Sequence, residues 1–159
     1  MPRLDPQATI MIVDDEPENL HVLHEILKSR KHRVVAFPSG ELALKAAVAA
    51  PPDVVLLDIR MPVMDGYEVC RRFKADKKLR DIPILFLSAL TGSSEKIDAF
   101  AAGAVDYLQK PLSEVEVLAR VETHLRLRRY TLELERLVKE RSEALEESNR
   151  RLKVLDGAG

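Results

Sequence analysis

One short stretch constrains the fold of this chain more than any other. Val54-Val55-Leu56-Leu57 is a run of four apolar residues, bounded by Pro51-Pro52 and closed by Asp58. A run of this length between turn signals reads as a short strand. A strand without polar alternation is covered on both faces, as in a parallel sheet with helices above and below it. In open α/β sheets ligands bind beyond the C-terminal ends of the strands, so Asp58 is delivered to the edge where chemistry takes place. Pro62 and Asp65-Gly66 then turn the chain, and a helical pattern follows.

The same grammar runs through the first three-quarters of the chain. Ile10-Met11-Ile12-Val13 ends on Asp14-Asp15-Glu16, and Pro17 opens a helix with Leu20, Leu23 and Leu27 on one face. Val34-Val35-Ala36-Phe37 is the second strand, and Ser39 caps the helix that runs through Ala49. After the Asp58 strand, Val69 and Phe73 form the inner face of the third helix. Pro83 opens Ile84-Leu85-Phe86-Leu87, which ends on Ser88. Ile97, Phe100 and Ala101 mark a fourth helix that stops at Gly103. Ala104 to Leu108 is the fifth strand, followed by Lys110-Pro111. Ser113-Glu114-Val115-Glu116 is a capping box for the last helix. Five strand–helix alternations with short connections predict a doubly wound parallel sheet with right-handed crossovers.

The last helix predicts something beyond one domain. No Pro or Gly interrupts residues 113–155, so the helix is roughly 60 Å long at ~1.5 Å per residue. Val115, Leu118, Val121 and Leu125 are placed to face the sheet. Beyond them a heptad emerges. Thr131, Val138, Leu145 and Leu152 share one seam position, and Leu127, Leu134, Arg141, Ser148 and Leu155 the other. An apolar stripe with nothing intramolecular to cover it predicts a parallel homodimer through this helix. The expected organisation is a flexible tail over 1–8, an α/β domain over 9–125, a continuous coiled-coil helix over 126–155 and a disordered end over 156–159.

Composition excludes several classes. The net charge is −1, so no basic field favours nucleic acid, and the basic run Arg126-Leu127-Arg128-Arg129 reads as a solvated helix face. Cys70 is the only cysteine, which rules out an intrachain disulfide and fits a reducing compartment. The N-terminus has no apolar signal-peptide core, and no apolar run is long enough to span a bilayer. A soluble cytoplasmic protein is expected, with no direct nucleic-acid or membrane partner.

Chemistry-bearing residues follow four of the five strands: Asp14-Asp15, Asp58, Ser88 and Lys110. In a parallel sheet these ends share one edge. Three carboxylates brought together repel one another unless a cation sits among them. Oxygen-only ligands favour a hard ion such as Mg²⁺. Asp58 can then attack a phosphoryl group in line, with Lys110 neutralising charge on the transferred oxygens and Ser88 donating a hydroxyl.

These motifs, Ile12-Val13-Asp14-Asp15-Glu16, Asp58-Ile59-Arg60-Met61-Pro62-Val63-Met64-Asp65-Gly66, Ser88-Ala89 and Lys110-Pro111, resemble those of the response-regulator receiver domain of two-component signalling. The resemblance implies a flavodoxin-like sheet of order 2-1-3-4-5. It implies Mg²⁺, or Mn²⁺ in its place, held by Asp15, Asp58 and the backbone carbonyl of Arg60, with Asp14 acting partly through water. It implies phosphorylation of Asp58 by a sensor histidine kinase or histidine phosphotransfer protein, a switch pair Ser88 and Tyr107, and a cis Lys110-Pro111 peptide. The stretch from Glu140 to Leu152 looks like the signalling helices that lead into cyclases, phosphodiesterases, phosphatases or kinases, so an output domain or partner is expected to receive the signal.

Two rival readings remain in view. A phosphohydrolase of the haloacid-dehalogenase type needs an acid two residues after its nucleophile, and Arg60 stands there; it cannot donate a proton at neutral pH. A nucleotide-binding domain would show a glycine-rich phosphate loop after its first strand, and none is present.

Overall fold

Strands form where the apolar runs are, and helices form between them. The computed structural model describes residues 7–89 and 93–157. In chain order the elements are β1 (Thr9–Val13), α1 (Pro17–Lys28), β2 (Arg33–Phe37), α2 (Gly40–Ala49), β3 (Val54–Asp58), α3 (Gly66–Ala75), β4 (Ile84–Ser88), α4 (Ser93–Ala102), β5 (Asp106–Gln109) and α5 (Glu114–Gly157). All strand pairings are parallel, in the order β2-β1-β3-β4-β5. The fold is therefore the doubly wound parallel sheet expected from the strand–helix alternation, in the flavodoxin-like strand order that the family resemblance implies.

Side chains alternate across each strand, so one strand feeds two cores. Val55 and Leu57 point to the face covered by α2, α3 and α4, where they meet Ala43, Val69, Phe73 and Ala99. Leu56 and Val54 point to the other face, where Leu23 and Leu27 of α1 and Val117, Val121 and Leu125 of α5 cover them. Every residue of β3 and β4 is buried, which is why these strands read as unbroken apolar runs. Each fully buried Leu, Ile or Phe contributes roughly 1.5–3 kcal/mol. The edge strand β2 is only partly covered.

Helix starts follow local chemistry. Ser39 Oγ accepts from the Leu42 N–H at 3.3 Å, and Asp65 Oδ1 accepts from the Glu68 N–H at 2.9 Å. Of the expected capping box at α5, the Ser113 half forms, with its Oγ accepting from Glu116 N–H at 3.5 Å. Gly103 ends α4 at a φ of +110°, a conformation that favours glycine.

Two details, on α5 and β5, differ from the sequence expectation, and α4 adds one that the sequence leaves open. The inward stripe of α5 is Val117, Val121 and Leu125, at i, i+4 and i+8; Val115, two residues out of phase, is 79% exposed. On α4 the buried residue is Ala99, while Ile97 and Phe100 face outward. A small side chain there lets the helix lie close to the sheet. Strand β5 begins at Asp106, where the chain first comes into register opposite Leu85, so Ala104 and Val105 precede it.

By internal contacts the chain divides into Met1–Leu125 and Arg126–Gly159. Helix α5 contributes to both. In the second unit Leu134, Val138, Leu145 and Leu152 are each more than half exposed. Arg136 pairs with Glu133 and Glu140, and Arg150 with Glu147, along the same helix. Most of the expected tail (residues 1–6) and residues 158–159 of the expected disordered end lie outside the described residues, while Asp156 and Gly157 are helical. Among the described residues no helix is long and apolar enough to cross a membrane.

Candidate functional site

The register of the sheet brings the reactive residues together. Val13 lies opposite Leu57, Asp58 opposite Leu87, and Ser88 opposite Gln109. Asp14, Asp58, Ser88 and Lys110 therefore leave adjacent strands at one rim. Carboxylate oxygens of Asp14, Asp15 and Asp58 all lie within 4.8 Å of one another. Asp14 is fully buried and Asp58 is 6% exposed. Asp14 Oδ1 accepts a hydrogen bond from the Glu16 backbone N–H at 2.9 Å, which aims its other oxygen toward the cluster.

Lys110 supplies the countercharge. Its Nζ lies 3.3 Å from Asp58 Oδ1 and 3.4 Å from Asp14 Oδ2. Its own backbone N–H donates to the Ser88 carbonyl at 2.8 Å, and the Lys110-Pro111 peptide is cis. Ser88 is buried on the same rim, and the cleft above Asp58 is walled by Glu16, Ile59, Ser88, Ala89, Glu95 and Lys110.

One glycine makes the site compact. A Cβ at Gly66 would collide with the Asp58 carbonyl oxygen and the Ile59 Cα. The absence of a side chain lets the start of α3 press against the end of β3, where Gly66 N–H donates to Ile59 O at 2.8 Å. The Met61–Asp65 turn is thereby folded tightly beside Asp58.

Electrostatics follow from this crowding. Burial, reinforced by the Asp14 charge, pushes the Asp58 carboxyl up to about 6, against the pull of Lys110. Burial works against the Lys110 charge, but Asp58 and Asp14 outweigh it and hold the amine above its ordinary value. The three converging carboxylates form an oxygen-only donor set that suits a hard divalent cation, with the Lys110 ammonium beside it as a fixed countercharge. An acid pushed upward by desolvation and a like charge is what such a cation relieves.

Tyr107 does not line this cleft. It lies on β5, partly buried against the core on the α3–α4 side, with Lys96 Nζ 4.7 Å above its ring centroid. Arg60 points its guanidinium outward, 3.7 Å from Glu95. Glu95 is the residue that sequence reading missed. Its carboxylate reaches from α4 into the cleft and accepts from Ser88 Oγ at 3.3 Å. In the sequence it looks like a first-turn acid complementing the helix dipole, and only the packing of α4 reveals a second role.

Comparison with known proteins agrees with this geometry. Residues 10–122 match the family described as response regulator receiver domain. The response regulator PleD of Caulobacter vibrioides is 38% identical over 151 residues, covering 95% of this chain and 32% of PleD. The chain thus spans about a third of that relative's length. A putative response regulator from Chloroflexus aurantiacus superposes with a TM-score of 0.73 at 36% identity, covering 75% of this chain and 98% of the other. The receiver domain of the sensor histidine kinase PA1611 from Pseudomonas aeruginosa, solved with a magnesium ion in its active-site cleft, gives 0.70 at 31% identity, covering 75% and 98%. With its acidic rim, its 2-1-3-4-5 sheet and this match over most of its length, the chain belongs to the receiver-domain family of two-component response regulators.

Proposed function

We propose that Asp58 is the phosphoacceptor of a two-component response regulator. The observation that carries this reading is the single amine of Lys110, shared at 3.3 and 3.4 Å between Asp58 and Asp14 within a cluster of three carboxylates. An Asp58 oxygen attacks the phosphorus of a histidine-bound phosphoryl group. The P–N bond of the donor breaks as the acyl phosphate forms, and the donor imidazole leaves with a proton. Lys110 moves from balancing two carboxylates to balancing the transferred oxygens. Ser88, on the neighbouring strand end, donates its hydroxyl to one of them. Asp14, Asp15, Asp58 and the Arg60 carbonyl would hold Mg²⁺, which would supply the positive charge that lets a phosphate approach this acidic rim.

The phosphodonor is a sensor histidine kinase or a histidine phosphotransfer protein. Ser88 and Tyr107 form the switch pair, in which the hydroxyl turns toward the phosphoryl group and the ring follows. The signal leaves through α5, whose 126–155 segment pairs with a second copy as a parallel coiled coil and feeds an output domain or partner. Asp58 is thus a switch rather than a turnover nucleophile, since Arg60 cannot serve as the proton donor that hydrolysis of a bound ester requires.

The test uses acetyl phosphate with Mg²⁺ and intact-mass measurement. One added phosphoryl group is expected, absent in Asp58→Asn and absent in EDTA. Labelling that persists in Asp58→Asn, or sustained release of phosphate from phosphomonoesters, would overturn the assignment.

A further inference from the structure

The cleft over Asp58 contains an anion that the phosphoryl chemistry does not use. Glu95 stands in the first turn of α4, its side chain only 23% exposed. One of its oxygens accepts from Ser88 Oγ at 3.3 Å, and the other lies 3.7 Å from an Arg60 guanidinium nitrogen. Ser88 belongs to the rim beside Asp58, and Arg60 lies two residues after Asp58 in the turn that leaves β3. Both groups, one neutral donor and one cation, are suited to a phosphoryl oxygen. Both are engaged by a carboxylate.

The next residue extends the contact. Lys96 Nζ lies 4.7 Å over the Tyr107 ring. Two consecutive side chains at the start of α4 therefore touch both members of the proposed switch pair, Ser88 through Glu95 and Tyr107 through Lys96. Moving one of them disturbs the other, because they share one helical turn.

We infer that Glu95 is an internal stand-in for the phosphoryl group, a positioning residue that holds Ser88 and Arg60 until a phosphoryl group on Asp58 takes them over. This rests on the reading of Asp58 as phosphoacceptor and adds the device that couples it to α4. The phosphoryl group brings close to two negative charges and three acceptor oxygens into the cleft. It competes with Glu95 for the same two donors and repels it. Glu95 leaves, the first turn of α4 loses its tether to the β3–α3 turn, and Lys96 shifts on Tyr107. Linkage requires the converse: a chain without the Glu95 charge surrenders less on accepting the phosphoryl group.

The experiment uses the full chain with Mg²⁺ and beryllofluoride, a non-transferable phosphoryl mimic. Affinity is measured for the unaltered protein, Glu95→Gln, Glu95→Ala and Asp58→Asn. Glu95→Gln is expected to bind beryllofluoride about fivefold more tightly or better, and the difference should shrink with added salt, as an electrostatic coupling does. Hydrogen exchange at the α4 amides of unliganded Glu95→Ala should already match the beryllofluoride-bound unaltered chain. A purely structural role predicts lower thermal stability in both variants with affinity unchanged. Affinities within twofold of the unaltered protein, or α4 exchange that does not move, would sink the role of Glu95 while leaving Asp58 as acceptor. Binding that is equal in Asp58→Asn would bring down both readings together.

Discussion

At the scale of single residues, the informative groups are those held in unfavourable settings. Asp58 is an acid whose pKa is raised to about 6 in the folded chain from an ordinary 3.8. A raised carboxyl contributes stability that is fully present below the unfolded value and is lost as pH rises through the folded one. Between pH 4 and 7 the fold therefore loses roughly 1–3 kcal/mol through this group alone. In EDTA, Asp58→Asn should be more stable than the unaltered protein by that amount at pH 7.5, with the gap closing near pH 4. Urea unfolding at the two pH values measures it; an Asn variant less stable at pH 7.5 would contradict the electrostatic account. Val63 is the second such residue. It is β-branched, 98% exposed and held at a φ of +69°. Such residues resist the left-handed region. Val63→Asn should raise stability by about 0.5–1 kcal/mol, read from thermal unfolding, with acetyl-phosphate labelling of Asp58 unchanged.

At the scale of elements, the root of α5 is tied down by charge as well as by apolar packing. Arg120 Nη1 donates to Asp106 Oδ1 at 2.7 Å, and His124 Nε2 lies 3.0 Å from Asp106 Oδ2. His32, on the loop after α1, meets Glu122 at 2.7 Å from the other side. Burial opposes the Asp106 charge, yet the hydrogen bonds from Arg120 and His124 hold its carboxyl below its ordinary value. A lowered carboxyl contributes stability above the unfolded value and loses it as pH falls through the folded one, so this tie weakens only in acid. Asp106→Asn should destabilise the domain by about 1–2 kcal/mol at pH 7, after allowing for partial solvent screening. It should also raise hydrogen exchange in α5 between Glu116 and Leu125 more than in α1. An equal rise in both helices would mean that Asp106 does not anchor α5 in particular. The sequence already placed α5 after β5 and supplied its capping serine. It could not reveal this tie, because Asp106, His32 and the α5 residues are brought together only by the crossover of the chain.

At the scale of the whole molecule, the second unit poses the question of assembly. Leu134, Val138, Leu145 and Leu152 recur along α5 and are more than half exposed. The intrahelical pairs Arg136–Glu133 and Arg150–Glu147 are exposed and add little by themselves. In the proposed parallel dimer this stripe would be buried against a second copy. Sedimentation of the full chain should give a dimer at micromolar concentration. Val138→Glu with Leu145→Glu should return a monomer while the α/β unit keeps its thermal transition. A monomer mass that is independent of concentration in the unaltered chain would remove the dimer from the proposal.

The sequence by itself determined the parallel sheet, its strand boundaries to within a residue or two, and the set of reactive residues at the strand ends. Short apolar runs closed by Asp14, Asp58, Ser88 and Lys110 leave a parallel sheet little choice but to present them on one rim, since side-chain period and strand direction are local properties. Tertiary packing alone decided the rest. It chose Val117 over Val115 as the inward residue of α5 and turned Ile97 and Phe100 of α4 outward while Ala99 faced in. It also brought Glu95 to Ser88 and Arg60 across the cleft. Each of these depends on how far one element stands from another, a distance that no periodicity within a single element encodes.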